Sequence, residues 1–178
     1  MSYRPITDVW FLARAKLNGG QKYYGAYLGG FPERARALLG ATIDEPVLHV
    51  CGGMAKHYPY KRGFGPNDKT LDIDSEVSPD FHQDARDPLP NGFKAILMDP
   101  PYSEDDAEKY SAGRAAYPKP NTLIKNALAA VRPGERVGLI HYMLPSPPKG
   151  SVFVAAAAVM CGFNNRVRVF SVFEKELA

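Results

Sequence analysis

Short apolar runs, separated by polar stretches rich in glycine and proline, organise this chain. Val47–Val50 stops at Gly52-Gly53, Thr70–Ile73 ends in acids and Ala95–Met98 ends at Asp99. Residues 136–142 read Arg-Val-Gly-Leu-Ile-His-Tyr. Each of these four runs predicts a short strand. Helical spacing predicts helices over Phe31–Leu39, with Pro32 in the first turn and Gly40 just past the end, and over Thr122–Val131, which closes on Arg132-Pro133-Gly134. The alanine-packed segment Ser151–Cys161, stopped by Gly162, is expected to be a further helix. Val167–Phe173 alternates Val and Phe with polar residues and predicts a last strand, and Trp10 is expected to anchor the core. Strands alternating with helices argue for an α/β fold whose sheet is mostly parallel and covered on both faces. Ligands of such sheets lie beyond the carboxyl ends of the strands, near the switch in strand order. Here those ends carry glycines, acids and a proline pair.

Composition narrows the picture little. The 178 residues suit one domain able to bury a core, and fractions of 45% hydrophobic and 23% charged argue against global disorder. A formal charge of +3 permits a polyanionic partner without demanding one. Two cysteines, Cys51 and Cys161, form no CxxC pair and suit free thiols in a reducing cytoplasm. Charges interrupt the start of the chain, so no signal peptide is expected. The longest apolar stretch, Val152–Cys161, is shorter than the ~20 residues of a membrane span. A soluble protein without a membrane partner is therefore expected.

The strongest local signal is Asp99-Pro100-Pro101-Tyr102, directly after the apolar run Ala95–Met98. Here the chain resembles the class I S-adenosylmethionine-dependent methyltransferases, and among them the amino-methyltransferases that carry the Asp-Pro-Pro-Tyr signature, in a small DNA adenine methylase-like form without a target-recognition domain. The resemblance runs from about Val47 through Tyr142 and onward towards Phe173. It implies a doubly wound, Rossmann-like fold in a single domain over 1–178, with 1–46 as an N-terminal extension and 47–178 as the catalytic core. It also implies roles. An exocyclic amino nitrogen is a poor nucleophile because its lone pair is delocalised into the ring. The Asp99 carboxylate and the Pro100 carbonyl would each accept an amino hydrogen and free that lone pair, held in place by the stiff prolines. Tyr102 would stack on a base taken out of its helix. S-adenosylmethionine would supply the methyl group, and no metal is called for.

The upstream segments follow the same family in order. Val47-Leu48-His49-Val50-Cys51-Gly52-Gly53 resembles its glycine-rich first loop, which places Cys51, Gly52 and Gly53 against the cofactor. The family usually has an acid near His49 and spaced glycines, and this chain has neither. Leu71-Asp72-Ile73-Asp74 resembles the end of the second strand, where an acid holds the cofactor ribose; Asp72 is the first choice and Asp74 the second. Phe81-His82-Gln83-Asp84-Ala85 resembles the element whose acid and following amide read the adenine, which points to Asp84 and Ala85. Lys22-Tyr23-Tyr24-Gly25-Ala26-Tyr27 suggests an aromatic element beside the methionine end of the cofactor, with Tyr24 as the contact. Cys51 reads as a small buried residue rather than a nucleophile. His141 and Tyr142 end a strand at the edge of the expected base site.

The catalytic core of such a fold takes up nearly all of these residues, so no separate recognition domain is expected among them. Ser103–Pro120 interleaves Lys109, Tyr110, Arg114, Tyr117 and Lys119 with four acids, and Arg114 and Lys119 are the expected phosphate contacts. The expected partner is nucleic acid, DNA favoured over RNA, with low sequence selectivity unless a second copy or a specificity partner contributes. Three readings follow: methylation of adenine in DNA, methylation of an RNA base at an amino group, and a cofactor-binding subunit without catalysis of its own.

Overall fold

The computed structural model describes residues 4–15, 26–58, 60, 62–111, 117–162 and 166–177. They contain strands β1 (Ile6–Arg14), β2 (Leu28–Gly29), β3 (Val47–Val50), β4 (Lys69–Asp72), β5 (Phe81–His82), β6 (Ala95–Met98), β7 (Arg136–His141), β8 (Ser151–Cys161) and β9 (Val167–Lys175). The helices are α1 (Phe31–Leu39), α2 (Glu104–Ser111) and α3 (Pro120–Ala130). The strands form one sheet in the order β2-β1-β8-β9-β7-β6-β3-β4-β5. From β5 to β7 all neighbours are parallel. β9 lies antiparallel between β7 and β8, β8 is parallel to β1, and β2 closes the edge antiparallel. Among the described residues no helix is long and apolar enough to cross a membrane.

The two sheet faces are sorted by the period of two along each strand. Val47, Ala95 and Leu97 pack with Phe31, Ala35 and Leu39 of α1. Leu48, Val50, Ile96 and Met98 point the other way and pack with Leu123, Ile124 and Ala127 of α3. Strands apolar on both faces are what a parallel sheet between two helical layers requires. Each fully buried Leu or Ile here contributes about 1.5–3 kcal/mol. β1, β2 and α1 all come from the first 46 residues and are built onto the same sheet.

The expected helix over Ser151–Cys161 is a strand. β8 is paired by β9 from Ser151 to Met160 and by β1 from Ala155 to Cys161, with a register shift against β9 between Phe153 and Ala155. Alanine favours helix by only tenths of a kcal/mol per residue, so two ladders of backbone bonds override it. Alanines at both even and odd positions also conceal the alternation that marks a strand. The link from β7 to β8, residues 142–150, therefore crosses the sheet as an extended strap containing Pro145, Pro147 and Pro148 rather than as a helix.

Candidate active site

The site forms where β3, β4, β5 and β6 end. After Val50 the chain turns sharply: Cys51 has φ 53° and Gly53 has φ 47°, both left-handed. Between them, a Cβ on Gly52 would lie 2.8 Å from the His49 carbonyl oxygen and 3.2 Å from the Thr70 methyl, so only glycine fits. The Gly53 N–H donates to Oδ2 of Asp72 (2.8 Å), and the Asp74 N–H donates to Oδ1 (3.0 Å). Burial pushes the Asp72 carboxyl above its usual range, against the pull of these donors. Asp72 thus ties the end of β4 to the glycine loop. The Asp74 carboxylate is engaged elsewhere, capping the turn Ser75–Val77 through the Glu76 N–H (2.9 Å).

Beyond β5, Asp84 meets Arg86 through Nε, 3.0 Å from each carboxylate oxygen, and the guanidinium holds its carboxyl below the usual range. Neighbouring Ala85 is buried. The Cys51 thiol is pushed well up, first by burial and then by the charges of Asp72, Asp99 and Asp84. Three carboxylates from three strand ends therefore converge on one loop.

Asp99 ends β6, where its N–H bonds the Val50 carbonyl (3.2 Å). Burial pushes its carboxyl up to about 6, against a 2.7 Å hydrogen bond from the Tyr102 hydroxyl and the charge of Arg168. Behind Tyr102 runs an ordered chain of donors. The Met143 N–H donates to His141 Nδ1 (3.0 Å), which leaves the ring proton on Nε2. That proton faces Tyr117 Oη (2.9 Å), and Tyr117 donates to the Tyr102 carbonyl (3.3 Å). Burial lowers the His141 pKa, in keeping with the neutral ring this chain needs. The Tyr142 ring lies 4.6 Å from that of Tyr102.

Comparison with solved structures gives the architecture a context. TrmN from Thermus thermophilus superposes with a TM-score of 0.60 at 20% identity, covering 84% of this chain and 49% of its own. This chain therefore spans about half the length of TrmN. A candidate methylase from Haemophilus influenzae gives 0.54 at 13%, covering 94% and 99%. An rRNA methylase from Streptococcus thermophilus gives 0.51 at 9%, covering 81% and 95%. The fold is that of the class I methyltransferases. No protein-family profile and no curated protein matches the chain by sequence.

In the class I methyltransferase fold of this chain, His49 stands at the position where the sequence led one to look for an acid. The acid comes instead from Asp68, just before β4: His49 Nε2 lies 3.2 Å from its carboxylate, and Nδ1 accepts from Tyr27 Oη at 3.3 Å. Asp68 also takes the Arg36 guanidinium and the N–H groups of Gly65 (2.7 Å) and Val47 (2.9 Å). Burial pushes Asp68 up, and these bonds outweigh it, leaving the carboxyl below its usual range. Burial keeps His49 neutral by lowering its pKa. A fully bonded network of this kind pins β3 beneath the glycine loop.

Of the residues singled out from sequence, the structure brings Cys51, Gly52, Gly53, Asp72, Asp84 and Asp99 together, with Ala85, Pro100 and Tyr102 beside them. Asp74 is displaced to its cap. Tyr24 and Arg114 lie outside the described residues, and Lys119 is exposed at the start of α3. Tyr27 and Tyr60 lie close enough to feel the Asp99 charge, and Tyr60 donates to the Tyr27 carbonyl (2.9 Å). Tyr60 was missed from sequence: Tyr58-Pro59-Tyr60 is an aromatic pair that no strand or helix pattern places.

Proposed function

We propose that this chain transfers a methyl group from S-adenosylmethionine to an exocyclic amino nitrogen of a nucleic-acid base. The observation that carries the reading is the half-buried Asp99 carboxylate at the end of β6, set beside Tyr102 and near the loop on which Asp72 and Asp84 also act. The residues fit the cofactor. Gly52 leaves the loop backbone bare, Asp72 offers a half-buried acceptor for ribose hydroxyls, and Asp84 with the Ala85 amide suits the adenine edge.

When bound, the cofactor supplies an electrophilic methyl group. The chain's own task is to prepare the nitrogen. Asp99 Oδ1 is held by the Tyr102 hydroxyl, leaving Oδ2 to accept one amino hydrogen while the Pro100 carbonyl accepts the other. The Tyr117–His141 chain holds the Tyr102 backbone, and so the turn that aims both acceptors. The Tyr102 ring offers a stacking face for the base.

Adenine in DNA is the first reading of the target. The likeness to an rRNA methylase supports an RNA base as the second reading. Incubation with radiolabelled S-adenosylmethionine and DNA, total RNA or protein, followed by nucleoside analysis, tests both. Label in an N-methylated base supports the proposal, and the polymer carrying it decides between the two readings. Label only on protein overturns it in favour of a protein substrate, and label on nothing overturns it and leaves a cofactor-binding subunit as the remaining reading.

A further inference from the structure

β9 starts at the rim of the site, and Arg166 and Arg168 stand at its beginning. Residues two apart on a strand share a face, about 6.6 Å from one another. Arg168 Nη1 lies 3.4 Å from Tyr102 Oη, and Arg166 Nη1 lies 3.4 Å from Tyr142 Oη. The two tyrosine rings are themselves in contact, 4.6 Å between centroids. Two guanidinium groups thus stand at the hydroxyl ends of two adjoining aromatic rings, next to the proposed catalytic carboxylate.

Hydrogen bonds of 3.4 Å are long and weak. Arg168 is half-buried, its guanidinium has five donors, and among the described residues it forms no ion pair within 4 Å. The carboxylate whose charge acts on it is Asp99, itself bonded by the Tyr102 hydroxyl. Burial works against the charged guanidinium, Tyr102 and Asp99 outweigh that cost, and the one long bond to Tyr102 leaves most of its fork of donors to an anionic ligand brought by the substrate. The fork geometry of guanidinium matches a phosphate. A base stacked on the tyrosine rings leaves its sugar and phosphate at their rim, where the arginines are.

We propose that Arg168, assisted by Arg166, binds the phosphodiester of the target nucleotide while Tyr102 and Tyr142 hold its base. This rests on the nucleic-acid reading above, and it moves the phosphate contacts from the expected Arg114 and Lys119 to the start of β9. It makes Arg168 a residue that positions the target, separate from cofactor binding.

The test measures binding of labelled mixed-sequence single-stranded DNA and RNA over a series of salt concentrations, for the parent, Arg168→Gln, Arg168→Lys and Arg166→Gln. Each Gln variant should weaken all sequences alike and lower the salt slope by about 0.7, the value for one contact to a single strand. Arg168→Lys should keep the slope. Affinity for S-adenosylmethionine should stay at the parent value in all three. Should Arg168→Gln fail to fold, Arg166→Gln at the exposed end of the pair carries the same test. If the parent binds an oligonucleotide and both Gln variants keep its slope, the phosphate site is wrong while the nucleic-acid reading stands. If Arg168→Gln shifts only the pH profile of transfer, Arg168 serves Asp99 alone and the proposal falls. A parent that binds neither DNA nor RNA at low salt overturns both.

Discussion

The Tyr102 hydroxyl donates to the Asp99 carboxylate across 2.7 Å, so the ring proposed to stack on the base also steadies the proposed acceptor. That bond lowers the Asp99 pKa, whereas burial raises it to about 6. Transfer that needs ionised Asp99 should fall as pH drops through about 6. Tyr102→Phe removes the lowering bond, so the acid limb should move to higher pH while turnover above it survives. Tyr102→Ala should lose turnover at every pH, because stacking needs the ring. A pH–rate profile of Tyr102→Phe superposing on the parent's would contradict this.

Asp99 also opposes folding. A carboxyl whose folded pKa is raised from 3.8 to about 6 leaves the native state binding more protons than the unfolded state between those values. Stability is therefore lost as pH rises through that window, and the cost persists above it. Asp99→Asn should stabilise the fold at pH 8 by on the order of 2 kcal/mol, an advantage that fades towards pH 4. The same variant should lose turnover by roughly 100-fold or more and keep its cofactor affinity. Thermal melts at the two pH values, with calorimetry for the cofactor, check both halves; equal melting temperatures at pH 8 would refute the first.

Two aspartates two residues apart are given different tasks. Asp72 holds the Gly53 N–H and faces the loop, whereas Asp74 caps a turn. Asp72→Ala should cost on the order of 2–3 kcal/mol of S-adenosylmethionine affinity. Asp74→Ala should cost about 1 kcal/mol of stability and leave that affinity near the parent's. Calorimetry showing the reverse order would reassign the ribose acceptor.

Cys51 occupies a left-handed conformation, φ 53°, that costs a residue with a Cβ about 1–2 kcal/mol. Cys51→Gly relieves that strain at a comparable entropic cost and should melt within a few degrees of the parent. Cys51→Val, β-branched at the same angle, should melt clearly lower. Val melting at or above Gly would show that the backbone at this turn relaxes freely.

β3 and β6 were legible because each is a short apolar run ending in residues of the candidate site. Val47–Val50, Ala95–Met98 and Asp99–Tyr102 stand where the pattern put them. β8 was not legible, since its alanines satisfy helix and strand alike and only pairing with β1 and β9 decides between them. The Asp68–His49 exchange was hidden for a related reason. An acid can be supplied across a strand pair as readily as along the chain, and sequence spacing carries no sign of it. Asp72 and Asp74 both end in turns, so their division of labour depends on which amide each one meets.

β1 has its place in the sheet beside β8, with Ile6 opposite Ala155 and Leu12 opposite Cys161. A ladder closed over so much intervening chain must await nearly all of the other elements, and such distant pairing makes folding slow. Until β8 exists, β1 is an extended apolar segment with one edge bare and the other paired only at its end by β2, the kind of strand that joins a neighbouring molecule instead. During synthesis the nascent chain therefore carries a hazard that the finished sheet conceals. A charge on its exposed face, at Val9, would shield that interval at little cost to the native fold, because Val9 points to solvent there.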